Sequence, residues 1–167
     1  MVDKELCLSR LKEMEIFQDF KSKPELILTF FEATREKKHK LGSQIILEGE
    51  IGDELFILID GTVKIIKNTL QNDKYAVAIL NAENSVFFGE VALIDSDKRS
   101  ATVTAETPCT TLVISRDAYL KLCALHPEFG FRVTLRIAQR IARSLRKMNS
   151  DALSLFQALV DEVEGIL

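Results

Sequence analysis

The sequence predicts an α+β domain, an antiparallel, jelly-roll-like β-roll of about eight strands flanked by N-terminal and C-terminal helices. Three observations predict it. Apolar residues recur at spacings of three and four at both ends of the chain, and between Thr34 and Ser115 they give way to short β-branched runs cut by glycines. The order helices, strands, helices then implies terminal helices packed on a roll.

Taken in order, residues 4–20 and 24–33 carry Leu8, Leu11, Ile16, Phe17 and Phe20 at helical spacing, with Pro24 suited to the first turn of the second helix. From Thr34, "QIILEGEIGDELFILIDGTVKIIKN" is strand-like, and Gly42, Gly49, Gly52 and Gly61 read as turns. Asp60-Gly61, between "LFILI" and "VKII", is a two-residue hairpin signal, because a type I′ turn needs positive φ at both central positions. Further strands are expected at 75–80, 100–105 and 110–114. Ser115 can cap a helix over "RDAYLKLCAL", and Pro127 opens a longer one. There Thr134, Ala138, Ile141, Leu145 and Met148 form one face, with Arg132, Arg136, Arg140, Arg143 and Lys147 almost opposite. The spacing continues through Ala152, Leu155 and Leu159, but Asn149-Ser150-Asp151 reads as the end of one helix and the cap of another, so a break is expected. The organisation is therefore 1–33 N-terminal helices, 34–115 β-roll, 116–148 C-terminal helices and 149–167 helical tail.

The chain has 167 residues, 47% hydrophobic and 28% charged, with net charge −3. That balance gives no global reason to bind nucleic acid. No uncharged apolar run spans a membrane and the N-terminus is charged every few positions, so a cytoplasmic location is expected. Cys7, Cys109 and Cys123 are odd in number and far apart, which argues against disulfides or a zinc site. His39 and His126 have no ligand-spaced neighbours, and His126 precedes Pro127 at a helix start. No nucleophile, base and orienter set, metal cluster or Walker loop appears, so the expectation is a binding protein, not an enzyme, with neither metal nor cofactor.

The stretch "FFGEVALIDSDKRSATV", residues 87–103, carries chemistry. A short helical turn from Gly89 offers backbone N–H groups without intrahelical acceptors, and a residue with no Cβ lets an anion approach. Arg99 lies across a polar loop and can return a guanidinium to the same anion, and Ser100 can add a hydroxyl. Glu90 is the puzzle, since a carboxylate at 4 Å from a phosphate is repelled by about 1 kcal/mol in water and by more at lower dielectric. A sugar hydroxyl donating to Glu90 offsets that cost, so the ligand should carry both a phosphate and a free hydroxyl.

These residues, with "EGEIGDELFILIDGTVKI", closely resemble the cyclic nucleotide-binding domain family, over roughly residues 10–148. The resemblance implies a β-roll with a phosphate-binding cassette at 88–101 and cyclic AMP, ahead of cyclic GMP, as ligand. It assigns Glu90 to the ribose 2′-hydroxyl, Arg99 to the cyclic phosphate, backbone contacts to Gly89, Val91 and Ala92, and a phosphate contact to Ser100. On the base side it points to Ser144, if the spacing after Arg99 is kept, with Arg140 a second candidate. Lys98 stands where kinase-type cassettes have proline, and Leu145 where bacterial activators keep a second polar residue.

From Phe129 to Ser150 the chain has six basic residues and no acidic one. Solvation, or a helical hairpin laying Asp161, Glu162 and Glu164 against the arginines, is the expected reading of this stripe. The function expected is a cyclic-nucleotide sensor that signals through its last helix, acting as a lid, to an effector protein. The alternative is a nucleotide-independent interaction or dimerisation module, with a homodimer through that helix. About 19 residues follow Met148, too few for a helix-turn-helix, so neither DNA nor membrane binding is expected.

Overall fold

The computed structural model describes residues 2–68, 74–95 and 97–164 and stacks three layers: helices, a first sheet and a second sheet. Helix α1 (Lys4–Glu13), a 3-10 turn (Glu15–Phe20) and α2 (Pro24–Glu32) precede the strands. These are β1 (Arg35–His39), β2 (Gln44–Ile46), β3 (Glu54–Asp60), β4 (Thr62–Asn68), β5 (Lys74–Asn81), β6 (Phe87–Phe88), β7 (Thr102–Ala105) and β8 (Cys109–Ser115). Helices α3 (Arg116–Leu125) and α4 (Pro127–Glu164) follow. The sheets have orders β1-β8-β3-β6 and β2-β7-β4-β5, with antiparallel neighbours throughout.

Strand β3 explains the layering. It is apolar on both faces because the first sheet is the middle layer. Leu55, Ile57 and Ile59 join the helical core with Phe17, Phe30 and Phe129, while Phe56 and Leu58 join Val63, Phe88 and Val103 between the sheets. The helical core centres on an aromatic cluster: Phe129 of α4 lies 4.8 Å from Phe20 and 6.0 Å from Phe17, ring centre to ring centre.

The structure departs from the sequence expectation at three points. The helix expected over 4–20 divides at Met14, which is extended (ψ 138°), so that the 3-10 turn folds back and buries Ile16, Phe17 and Phe20. Asp60-Gly61 is not a hairpin, because β3 and β4 belong to different sheets. Gly61 (φ 87°) carries the chain from one sheet to the other, and a Cβ there would lie 2.5 Å from the Pro108 carbonyl oxygen.

The third departure is α4, a single helix of 38 residues that runs unbroken through Asn149-Ser150-Asp151. At 1.5 Å per residue it is about 57 Å long. Phe129, Val133 and Ile137 bury one face, and α3 crosses so closely at Gly130 that a Cβ there would sit 2.6 Å from the Cys123 sulfur. The tail therefore does not fold back on the arginines. Arg136 instead donates to both carboxylate oxygens of Asp19 (3.0 and 2.8 Å), Arg143 to Glu15, and Arg140 meets Glu90. The Arg136 guanidinium holds the Asp19 carboxyl below its ordinary value. Asp161 accepts from Gln157 on its own helix, Glu162 is exposed, and the side chain of Glu164 lies outside the described residues. Past Arg143, among the described residues, α4 makes no hydrogen bond or ion pair to another element.

Candidate ligand-binding site

Gly89 follows β6 and starts the site. Its φ of 75° is left-handed, and a Cβ would meet the Arg99 guanidinium at 2.9 Å and the Glu54 carbonyl oxygen at 3.0 Å, so both backbone and space require glycine. The turn that follows is a 3-10 helix, Glu90–Leu93, buried through Ala92 and Leu93. A turn of four residues has little dipole, which shifts the work of holding an anion onto Arg99.

Arg99 is fixed at both ends. Its backbone N–H donates to the Glu50 carbonyl (2.8 Å) and its carbonyl accepts from Gly49 (2.9 Å). In the side chain, Nη1 donates to the Gly89 carbonyl (3.2 Å) and Nη2 to the Glu54 carbonyl (2.8 Å), 5.9 Å from the Phe56 ring centre. Burial pushes its pKa down, and Glu54 and Asp53 work in the opposite direction. A guanidinium anchored by two carbonyls with donors to spare is preorganised for phosphate oxygens.

Gly52 packs against the Arg99 side chain, a contact that sequence reasoning missed. It was expected to be one more turn glycine, but its φ is ordinary, and a Cβ there would press on Arg99 Nε at 2.6 Å. The need for glycine arises from a residue 47 positions later, which no local pattern records.

One cavity of about 170 Å³ gathers Gly89, Glu90, Val91, Ala92, Arg99 and Ser100, closed by Arg140 from α4 and floored by Ile65 and Val103 of the second sheet. Ser100 is exposed at its rim. Seven of the eight residues singled out in the sequence therefore line a single space; Ser144, one turn past Arg140, is exposed and does not. Arg140 closes the cavity with its Nε 3.5 Å from Glu90, its Nη2 donating to the Phe87 carbonyl (3.3 Å) and its guanidinium stacked 4.1 Å from the Phe87 ring centre. A wider apolar groove, about 570 Å³, lies between α3, α4 and Leu93-Ile94, with Arg116 as its one cation among the described residues.

The described residues contain no group of three or more His, Cys, Asp or Glu able to hold a metal, and no helix long and apolar enough to cross a membrane. What the cavity offers is the fixed Arg99 guanidinium with Lys98 and Arg140, three carboxylates (Glu90, Asp95 and Asp97), hydroxyl and backbone donors, and an apolar floor. That set suits an anion joined to a hydroxyl-bearing, partly apolar body.

Comparison with known proteins bears on which ligand that is. Residues 36–126 match the cyclic nucleotide-binding domain family. The CRP-like cAMP-activated global transcriptional regulator of Mycobacterium tuberculosis is 31% identical over 114 residues, which are 68% of this chain and 48% of that protein. The chain thus spans about half the length of the curated relatives it matches. Among solved structures, a cyclic nucleotide-binding domain from Methylobacillus flagellatus superposes with a TM-score of 0.75 at 28% identity, covering 89% of this chain and 82% of that one. The Thermus thermophilus catabolite activator protein gives 0.74 at 25% identity, covering 84% and 62%.

Proposed function

The chain belongs to the cyclic nucleotide-binding domain family, and from that premise we propose that it is a cyclic-nucleotide sensor, cyclic AMP preferred over cyclic GMP, that signals to a protein partner through α4. One observation carries the reading: Gly89, Glu90, Arg99 and Ser100 share one cavity with Arg140, a residue of the helix that is to report occupancy. The cyclic phosphate is held by Arg99, Ser100 and the backbone at Gly89, Val91 and Ala92, and the ribose 2′-hydroxyl by Glu90. The preference for cyclic AMP is supported by the M. tuberculosis relative, which is described as activated by it.

The mechanism is a population shift. Ligand favours the form in which the cassette and α4 are drawn together, and it can shift the balance only by its preference for that form. Hydrogen exchange in α4, free and with saturating cyclic AMP, tests this. Protection over 128–148 is expected to rise with ligand; unchanged protection in a saturated sample rejects the lid.

A nucleotide-independent module that dimerises through α4 is favoured by a different observation. Leu145, Met148, Leu155, Phe156, Leu159 and Val163 are 56–68% exposed along a helix with no cover of its own. Most of a helix's stability in a protein comes from packing its apolar face, so burial of the stripe is the natural source of its stability. A second copy, pairing α4 against α4, supplies that burial. Light scattering is expected to give about twice the chain's 18.8 kDa, reduced to one chain by Leu145→Glu or Leu159→Glu; a mass that these changes leave untouched rejects assembly through the seam.

A further inference from the structure

Helix α4 is divided by charge. From Phe129 to Ser150 it has six basic residues and no acidic one, and from Asp151 to Glu164 four acidic residues and no basic one. Arg136, Arg140 and Arg143 are paired with Asp19, Glu90 and Glu15, so among the described residues Arg132, Arg146 and Lys147 carry the uncompensated charge of the first half. In the second half Asp161 accepts from Gln157 of its own helix, and Asp151 and Glu162 are exposed.

One apolar line crosses both halves. Phe131, Leu135, Leu145, Phe156, Leu159 and Val163 are 40–66% exposed and lie on a repeat of alternating four and three, whose remaining positions are Ala138, Ala142, Asn149 and Ala152. The first three positions of that line, Phe131, Leu135 and Ala138, are also walls of the groove between α3, α4 and Leu93-Ile94. Arg116 stands at the same groove with its Nε buried and without a hydrogen-bond partner.

We propose that two copies of the chain pair through α4 in antiparallel orientation, and that the acidic end of each helix seats in the groove of the other copy, with Glu162 meeting Arg116. The inference rests on the reading in which α4 assembles the chain, and adds to it the orientation and the docking site.

Three observations choose the orientation. Parallel helices lay basic half on basic half, whereas antiparallel helices lay each acidic end beside a basic one. Side-chain size is the second. With Phe131 of one copy opposite Val163 of the other, Leu135 faces Leu159, Phe156 faces Ala138 and Ala142 faces Ala152. Large then opposes small at Phe156, while in-register parallel helices set Phe156 on Phe156 and Ala138 on Ala138, crowding one layer and leaving a void in the other. The groove is the third. The antiparallel register brings Phe156, Leu159 and Val163 of the second copy to its apolar walls, and Glu162, flanking them, to its cation. The parallel register brings Arg132 of the second copy towards Arg116 instead. Asn149 alone favours the parallel form, where it meets its own counterpart; that is one polar layer against a charge mismatch along the whole helix.

Orientation is read from the distance between spin labels at Ala158→Cys, an exposed position off the apolar line, in a Cys123→Ser background that leaves only the buried Cys7 and Cys109. Residue 158 lies 11 positions past residue 147, the centre of the register. Antiparallel copies therefore place the labels about 33 Å apart, and parallel copies within about 20 Å. Seating is read from the dimer dissociation constant, by sedimentation, for Glu162→Arg, Arg116→Glu and the double variant, each checked for folding by circular dichroism. Each single change is expected to weaken the dimer by at least about threefold, and the double variant, in which opposite charges meet again, to recover most of that loss. A label distance within about 20 Å overturns the antiparallel orientation. Single changes without effect, or losses that add in the double variant, overturn the seating of Glu162 on Arg116. If the native chain is a monomer at every concentration, the assembly reading of α4 falls and this inference with it; a dimer with close labels leaves the assembly reading standing and removes only this one.

Discussion

Replacing Arg99 by alanine is expected to lower cyclic AMP affinity by about a hundredfold or more. The guanidinium supplies charge-assisted hydrogen bonds worth about 1.5–3 kcal/mol each, and each 1.4 kcal/mol is about tenfold in affinity. The change has a structural cost as well, because the Gly89 and Glu54 carbonyls lose their donor. Arg99→Lys separates the two effects: it keeps the charge, loses the fork that reaches both carbonyls, and is expected to bind with intermediate affinity. Calorimetry on both variants measures this, and an alanine variant that binds as well as the native chain contradicts the role of Arg99. Arg99 outranks Ser100 here, since the exposed hydroxyl contributes a neutral hydrogen bond of about 1 kcal/mol.

The largest effect on stability is expected at Phe129, whose truncation to alanine should cost about 3–5 kcal/mol. The ring is 1% exposed and touches Phe17, Phe20 and Phe30, so a cavity there has walls from three elements that cannot all collapse. For a chain of this length the loss corresponds to a fall of roughly 10 °C in Tm. The damage also has an address. Phe129 is the first anchor of α4 on the 3-10 turn whose Glu15 and Asp19 hold Arg143 and Arg136, so its loss should raise exchange in both segments before the sheets open. Phe131→Ala is the control: at 66% exposed it should change stability by less than about 0.5 kcal/mol. Equal melting shifts for the two variants contradict the packing account.

The strands were readable because β-branched and aromatic runs bounded by glycine carry their own signal, and β3 showed its burial on both faces as the unbroken run "LFILI". Asp60-Gly61 misled because its chemistry is local while its role is not. The same positive φ that suits a hairpin also suits a crossing between sheets, and only long-range pairing decides which. At Asn149-Ser150-Asp151 three good capping residues suggested an end, but capping preference is worth about 1 kcal/mol and the apolar repeat on either side was the stronger signal. Ser150 stays within the helix, its carbonyl accepting from the Ser154 hydroxyl.

The site was legible to the extent that its residues are consecutive. Gly89 through Ser100 announce themselves as a unit, and Gly89, Glu90, Val91, Ala92, Arg99 and Ser100 line one cavity. Gly52 and the acidic partners of Arg136 and Arg143 were not, because each acquires meaning from a residue 47 to 128 positions away. The sequence reads the stripe as solvated or as paired with the nearest acidic segment, Asp161, Glu162 and Glu164. The fold supplied counter-charges from the opposite end of the chain, which brings the N-terminal turn, the cassette and α4 into one electrostatic unit.

Thermal unfolding of the native chain with cyclic AMP, cyclic GMP or AMP tests the central claim most directly. A ligand at about 100 times its Kd stabilises by about 2.7 kcal/mol, a rise of roughly 5–10 °C for a domain of this size. The account predicts such a rise with cyclic AMP, a smaller one with cyclic GMP at equal concentration, and none with AMP. A well-folded chain whose midpoint moves with none of the three contradicts it, and leaves the exposed seam of α4 as the functional surface.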